Sequence, residues 1–122
     1  MIQINYGDPH PIYEQIKLEL QRLILTGAME PGSKLPSVRE LAPELAINPN
    51  PIQRAYHELE DAGYTVTVSG RGSFVAETDA ISRQERQAAL NAFFKATSNL
   101  RRLGYDTAAL TALILQDEED LK

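Results

Sequence analysis

Apolar positions recur at helical spacing in five stretches of the chain and alternate in one. Ile12, Ile16, Leu20, Leu23 and Ile24 make the first stripe, which predicts a helix from about Pro11 to Thr26 closed by Gly27. Val38, Leu41, Ala42 and Leu45 make a short second one, opened by a capping box with Ser37 as N-cap and Glu40 at N3. Ile52, Ala55, Tyr56 and Leu59 make the third, which Gly63 ends, while Asn50, Gln53, Arg54 and His57 recur on its opposite side. Thr65-Val66-Thr67-Val68 alternates instead, and the turn Ser69-Gly70-Arg71-Gly72 predicts a hairpin of about Tyr64–Val68 and Ser73–Ala76. Beyond the polar segment Glu77–Ala80, a second capping box, Ser82 with Glu85, predicts a helix reaching about Leu103. Its stripe is Ala89, Leu90, Phe93, Phe94, Thr97 and Leu100, and Gly104 stops it. A last helix, about Asp106 to Gln116, carries Leu110, Leu113, Ile114 and Leu115, and the acidic run Asp117–Asp120 reads as a solvated end.

Two prolines disturb this pattern. Pro43 falls at the sixth position of the second helix, where it strands the carbonyl of Arg39, so a kink or an early stop at Ala42 is expected. In Asn48-Pro49-Asn50-Pro51 either asparagine can cap the third helix with a proline at N1. A residue before proline avoids the α region, which favours Asn50 as the cap.

The resulting class is mainly α with a small β-hairpin: a winged helix-turn-helix over residues 1–76, then a two-helix C-terminal dimerisation region over 77–122. Two helices bury too little surface to stand alone. Their stripe (Leu90, Phe93, Phe94, Thr97, Leu100, Leu110, Leu113 and Ile114) therefore needs a partner, most simply a second copy related by a two-fold axis. A small apolar pocket around Phe93 and Phe94 is the place for a small-molecule effector, against the plainer reading that these rings pack the dimer.

Composition then narrows the function. With 122 residues the chain allows one domain or a small domain with an appendage, and 43% apolar content suffices for a core. No apolar run approaches the roughly 18 residues that span a bilayer, and the N-terminus lacks the features of a secretory signal, so the chain reads as cytoplasmic with no membrane partner. There is no cysteine, hence no disulfide and no thiolate metal site; two histidines and unpaired serines offer no catalytic constellation, and no cofactor is implied. Gly70-Arg71-Gly72 follows a strand but opens no helix, so it is not a phosphate loop of the nucleotide-binding kind.

The net charge of −5 weighs against nucleic acid, but its placement does not. Residues 1–76 hold six Lys or Arg against nine Asp or Glu, a net of −3. Between Glu30 and Val75 the basic residues are Lys34, Arg39, Arg54 and Arg71, before and within the second helix, on the polar face of the third, and at the hairpin tip. That is a local basic ridge on an acidic body, suited to weak nonspecific binding of double-stranded DNA. Arg54 suits guanine, Asn50 and Gln53 suit adenine, Arg39 suits a base or a phosphate, and Lys34 suits a phosphate. Plainer roles stand beside these: an Arg54–Glu58 ion pair at i+4, solvation of Asn50, Gln53 and His57, a core position for Tyr56, and a surface position for His10. The acidic balance also favours a second reading, a winged-helix module for protein–protein assembly without DNA.

Leu35-Pro36-Ser37-Val38-Arg39-Glu40-Leu41-Ala42, Asn48-Pro49-Asn50, Arg54-Ala55-Tyr56 with Leu59-Glu60, and Gly70-Arg71-Gly72-Ser73-Phe74-Val75 together resemble the GntR family of bacterial transcription regulators. Pro11-Ile12-Tyr13-Glu14-Gln15-Ile16 and the Asn-Pro-Asn element are similar to its YtrA-like subfamily, in which two short helices replace a large effector domain. The resemblance covers about residues 10–76 closely. It implies a homodimeric repressor on an inverted-repeat operator, often controlling transporter genes. It implies DNA contacts from Arg39, from Asn50, Gln53 and Arg54, and from Arg71 and Gly72 in the minor groove; Lys34 and Ser37 complete the expected set. Pro43, unusual inside the second helix, and Pro51, where the family usually has Thr or Ser, depart from the pattern.

Overall fold

Three helices carry the first core: α1 (Ile12–Leu25), α2 (Val38–Leu45) and α3 (Pro49–Asp61). Ile16 and Leu20 of α1 and Ile52, Ala55 and Leu59 of α3 are wholly withdrawn from solvent. α3 touches α1, α2 and the strand that follows it, so its apolar stripe is the centre of the packing. Leu23, Ile24, Leu35, Leu41, Ala42, Tyr64 and Val75 complete the core, together with Ile2 near the N-terminus. This is a computed structural model that describes residues 2–120. Met1, Leu121 and Lys122, assigned from sequence to the two predicted regions, lie outside the described residues.

α1 spans the expected stripe, and Gly27 follows its C-cap with φ 83°, where a side chain would be strained. α2 opens as expected, with the Ser37 hydroxyl oxygen accepting from the Glu40 amide at 3.1 Å. It does not stop at Ala42; the helix continues through Pro43 to Leu45. The reason is that it ends one turn later in any case. The amides of Ala46 and Ile47 reach back to the carbonyls of Pro43 and Ala42, both at 3.1 Å, with Ala46 in the left-handed region. Pro43 therefore costs one hydrogen bond, to an Arg39 carbonyl under exposed residues, instead of breaking a long helix.

β1 (Thr65–Val68) and β2 (Gly72–Val75) pair antiparallel, Thr65 opposite Val75 and Val68 opposite Gly72. The segment before α2 adds a third rung on the other side of β2. Leu35 donates to Ser73 at 2.9 Å, Val75 donates to Ser33 at 2.8 Å, and Lys34 bridges Phe74. The hairpin is thereby stitched to the entrance of α2.

Close contacts divide the chain into two compact units, one ending at Ser82 and the other starting at Arg83. α4 (Asp79–Arg102) begins earlier than the capping box at Ser82 predicts. Thr78 is buried and Ile81 packs on the first core, so the helix starts where that burial requires and Ser82 donates its amide to the Thr78 carbonyl at 2.7 Å. In the second unit α5 (Thr107–Asp120) is capped by Asp106, whose carboxylate accepts from the Ala109 amide at 2.9 Å. The acidic run continues α5 instead of leaving it, since no Gly or Pro follows Gln116 to stop the helix. Leu110 is buried, while Leu90, Phe93, Phe94, Leu113 and Ile114 are exposed and Thr97 and Leu100 half-buried. Among the described residues, no helix is long and apolar enough to cross a membrane.

Ile52→Ala leaves a cavity where α3 meets its neighbours, and urea unfolding is expected to show a loss of about 2–5 kcal/mol. Pro43→Ala restores the amide that reaches the Arg39 carbonyl. It is expected to raise stability by no more than about 1 kcal/mol, the worth of one exposed hydrogen bond less what proline saves in the unfolded chain, and the same titration reads it.

Candidate nucleic-acid interface

The turn between α2 and α3 is Ala46-Ile47-Asn48, and Asn48, not Asn50, caps α3. Its side-chain oxygen accepts from the Asn50 amide at 2.9 Å, with Pro49 at N1. The expectation that Asn50 caps fails because the first helical amides have no intrahelical acceptor, so Pro49 and Pro51 both fit in the first turn without losing a bond. Asn50 consequently rides inside that turn with its side chain exposed, in line with Gln53 and His57, also exposed. His57 lies 3.4 Å from Asp61 on the same face.

Arg54 is placed differently. It sits at the edge of the polar face that borders α1, and 60% of its side chain is accessible. Its guanidinium carbon lies 3.6 Å from the centroid of the Tyr13 ring, a cation–π contact. Its Nε donates to Glu58 at 3.1 Å, so the ion pair weighed from sequence is present. Glu58 also accepts from the Lys17 ammonium at 3.0 Å. The Lys17 hydrogen bond first, then that from Arg54, holds the Glu58 carboxyl below the usual carboxylate range.

Tyr56 lies on the apolar side, as expected, and its hydroxyl donates to the Pro36 carbonyl at 2.6 Å. Burial pushes the phenol up to about 12. Lys34, Ser37, Arg71 and Gly72 gather around one groove between the hairpin tip and the start of α2. Arg71 closes the tip by donating its amide to Val68 at 2.9 Å, and Gly72 has φ 114°. A Cβ at Gly72 would meet the Lys34 side chain at 3.0 Å, so the glycine gives the lysine stem its place against the wing. Arg39 stands exposed on α2, outside that groove.

The eight residues expected to meet DNA thus fall into three sets: Lys34, Ser37, Arg71 and Gly72 together, Asn50 and Gln53 on the open face of α3, and Arg39 and Arg54 on flanking surfaces. Hydrogen-bond donors and acceptors on a helix of which only one side is buried, beside a basic hairpin tip, are the means by which a protein reads base edges and holds phosphates. The described residues bring no three His, Cys, Asp or Glu together to hold a metal ion. Lys17, Tyr13 and Glu58 were not among the expected residues. The Arg54–Glu58 spacing was a visible signal for Glu58, whereas nothing local in the sequence points to Lys17, 41 residues from it.

Similarity to known proteins follows this geometry. The HTH-type transcriptional repressor YtrA of Bacillus subtilis (strain 168) is 51% identical over 77 residues, 63% of this chain and 59% of that protein, so the match spans about three-fifths of its length. A GntR family transcriptional regulator from Listeria monocytogenes superposes with a TM-score of 0.70 at 38% identity, over 89% of this chain and 96% of that one. AraR(DBD), solved in complex with operator ORR3, superposes with a TM-score of 0.51 at 30% identity, over 61% of this chain and 92% of that one. The family model for bacterial regulatory proteins, gntR family, matches residues 12–75, more than half of the chain and the whole span from α1 through the hairpin. With that match on a helix-turn-helix and its wing, the chain belongs to the GntR family.

Proposed function

We propose that this chain is a sequence-specific DNA-binding transcription regulator, a homodimeric repressor acting on an inverted-repeat operator. As a member of a regulator family it is not an enzyme. The observation that carries the reading is α3 itself. Ile52, Ala55 and Leu59 of its apolar stripe are fully buried, its opposite side presents Asn50, Gln53 and His57, and AraR(DBD), solved on an operator, shares the fold at 30% identity.

In this reading α3 enters the major groove. Asn50, Gln53 and Arg54 meet base edges, Ser37, Lys34 and Arg39 meet phosphates, and Arg71 and Gly72 reach the adjacent minor groove. The Ser37 oxygen is engaged by the Glu40 amide, but its hydroxyl hydrogen remains available to a phosphate. Residues 1–76 form the DNA-binding domain and 77–122 the dimerisation region. Leu110, Leu113 and Ile114 line one open groove with Phe93, Thr97 and Leu100, and Leu90 and Phe94 extend its exposed apolar surface. A second copy seated there would set two recognition helices about 34 Å apart, one turn of DNA. Promoter occupancy then represses, and a small-molecule effector that favours another spacing releases the DNA.

Fluorescence anisotropy with the DNA upstream of the protein's own gene, titrated with salt, tests the reading. Wild type is expected to bind at dimer stoichiometry. Arg54→Ala is expected to lose about 1–3 kcal/mol of discrimination, and Lys34→Ala to lower the salt slope by about 1. Binding to upstream and random DNA alike, at the nonspecific level of about 10⁻⁴–10⁻⁶ M, would favour the protein–protein module instead. Phe93→Glu places a charge in the apolar groove, and sedimentation equilibrium is expected to show a monomer in place of a dimer.

A further inference from the structure

Glu58 joins the polar edge of α3 to α1. Its carboxylate is divided between two cations, one oxygen accepting from Lys17 Nζ at 3.0 Å and the other from Arg54 Nε at 3.1 Å. Arg54 is gripped a second time by the Tyr13 ring face, 3.6 Å away. An acid on a helix meant for DNA repels phosphate, so its presence there calls for a use.

The grip has a definite chemistry. Glu58 takes Nε and Tyr13 takes one π face of the guanidinium. Nη1 and Nη2 make no hydrogen bond among the described residues. These two nitrogens form the end-on fork that matches O6 and N7 of guanine. A free arginine loses rotamer freedom when it is ordered on binding, whereas one already held loses less. Lys17 anchors the carboxylate from another helix, so Glu58 does not swing with the side chain it holds.

We propose that Glu58, fixed by Lys17 and aided by Tyr13, is a positioning residue that presents Arg54 end-on to a guanine of the operator, and so determines specificity. The proposal rests on the DNA-binding reading above and deepens it by naming the base. A mere negative charge near DNA weakens binding to every sequence. A positioning group strengthens binding to one sequence only. Removing Glu58 therefore separates the two, because they change the affinities in opposite directions.

The experiment uses the full chain and two probes: the tightest short duplex that wild type enriches from a random pool, and poly(dI-dC). Anisotropy is read for wild type, Arg54→Ala, Glu58→Ala, Glu58→Gln and the double variant, with thermal melting to verify folding. Glu58→Ala is expected to bind poly(dI-dC) more tightly but the enriched duplex about tenfold more weakly. Glu58→Gln keeps an acceptor for Nε and is expected to recover most of that loss. The double variant is expected to bind the enriched duplex no more weakly than Arg54→Ala, and replacing one G·C pair of each half-site by A·T is expected to abolish the loss that Glu58→Ala causes. Equal tightening on both probes overturns the proposal, as does an equal Glu58→Ala effect with Arg54 absent. An enriched duplex that Arg54→Ala binds like wild type overturns it while leaving DNA binding intact. Failure of wild type to enrich any sequence overturns the DNA-binding reading and the proposal together.

Discussion

The burial of three side chains on one side of α3 is the constraint on which the rest depends. Ile52, Ala55 and Leu59 expose no surface, and with a methyl group at position 55 the neighbouring elements approach the helix closely. A helix held on α1, α2 and β1 at once has little freedom to rotate about its axis. Its opposite side is then fixed as the outward one, and every role given to Asn50, Gln53 and His57 follows from that single orientation. The hydrophobic effect does not act on those polar side chains directly, but by removing the alternative rotations it decides where they point.

The wing is oriented by backbone instead of by side-chain packing. Two strands of four residues make a marginal sheet alone. The rung contributed by Ser33, Lys34 and Leu35 adds a third strand's worth of pairing, and it does so in the residues that lead directly into α2. Hairpin tip and helix entrance therefore move as one piece, which is how Lys34 and Arg71 share a groove although they are far apart in the chain.

Much of this was legible in the sequence because it is periodic or chemically local. The stripes of α1 and α3, the Ser37 capping box, the Gly27 and Gly63 stops and the hairpin all rest on residues within one turn of each other. What was misread depended on context that a local rule omits. The penalty for Pro43 assumes a helix that continues, and α2 closes within a turn. The preference against an α conformation before Pro51 is a bias, and Asn48 supplied a better cap two residues earlier. Ser82 has every mark of an N-cap, but Ile81 is drawn into the core and carries the helix start back to Asp79. Ile2 and Ile4 gave no periodic signal, yet they pack on the core from the N-terminal segment. On α3, which side chains face outward was readable from spacing, while the hold that Lys17 and Tyr13 exert on its edge belongs to tertiary structure alone.

The Tyr56 hydroxyl that bonds the Pro36 carbonyl has a further consequence. Only the protonated phenol can donate that bond, and its ionisation is pushed from 10.0 up to about 12 in the folded chain. A group raised in this way contributes its full stability below the unfolded value and loses it as pH climbs through the folded one. The strut between α3 and the approach to α2 is therefore indifferent to acid and fails only in strong alkali. The Glu58 pairs behave oppositely, fading as the pH drops through a depressed carboxyl ionisation. Acid thus loosens the hold on Arg54 while leaving the helix-turn-helix angle braced, so the two ties that α3 makes at its edges are lost at opposite ends of the pH scale.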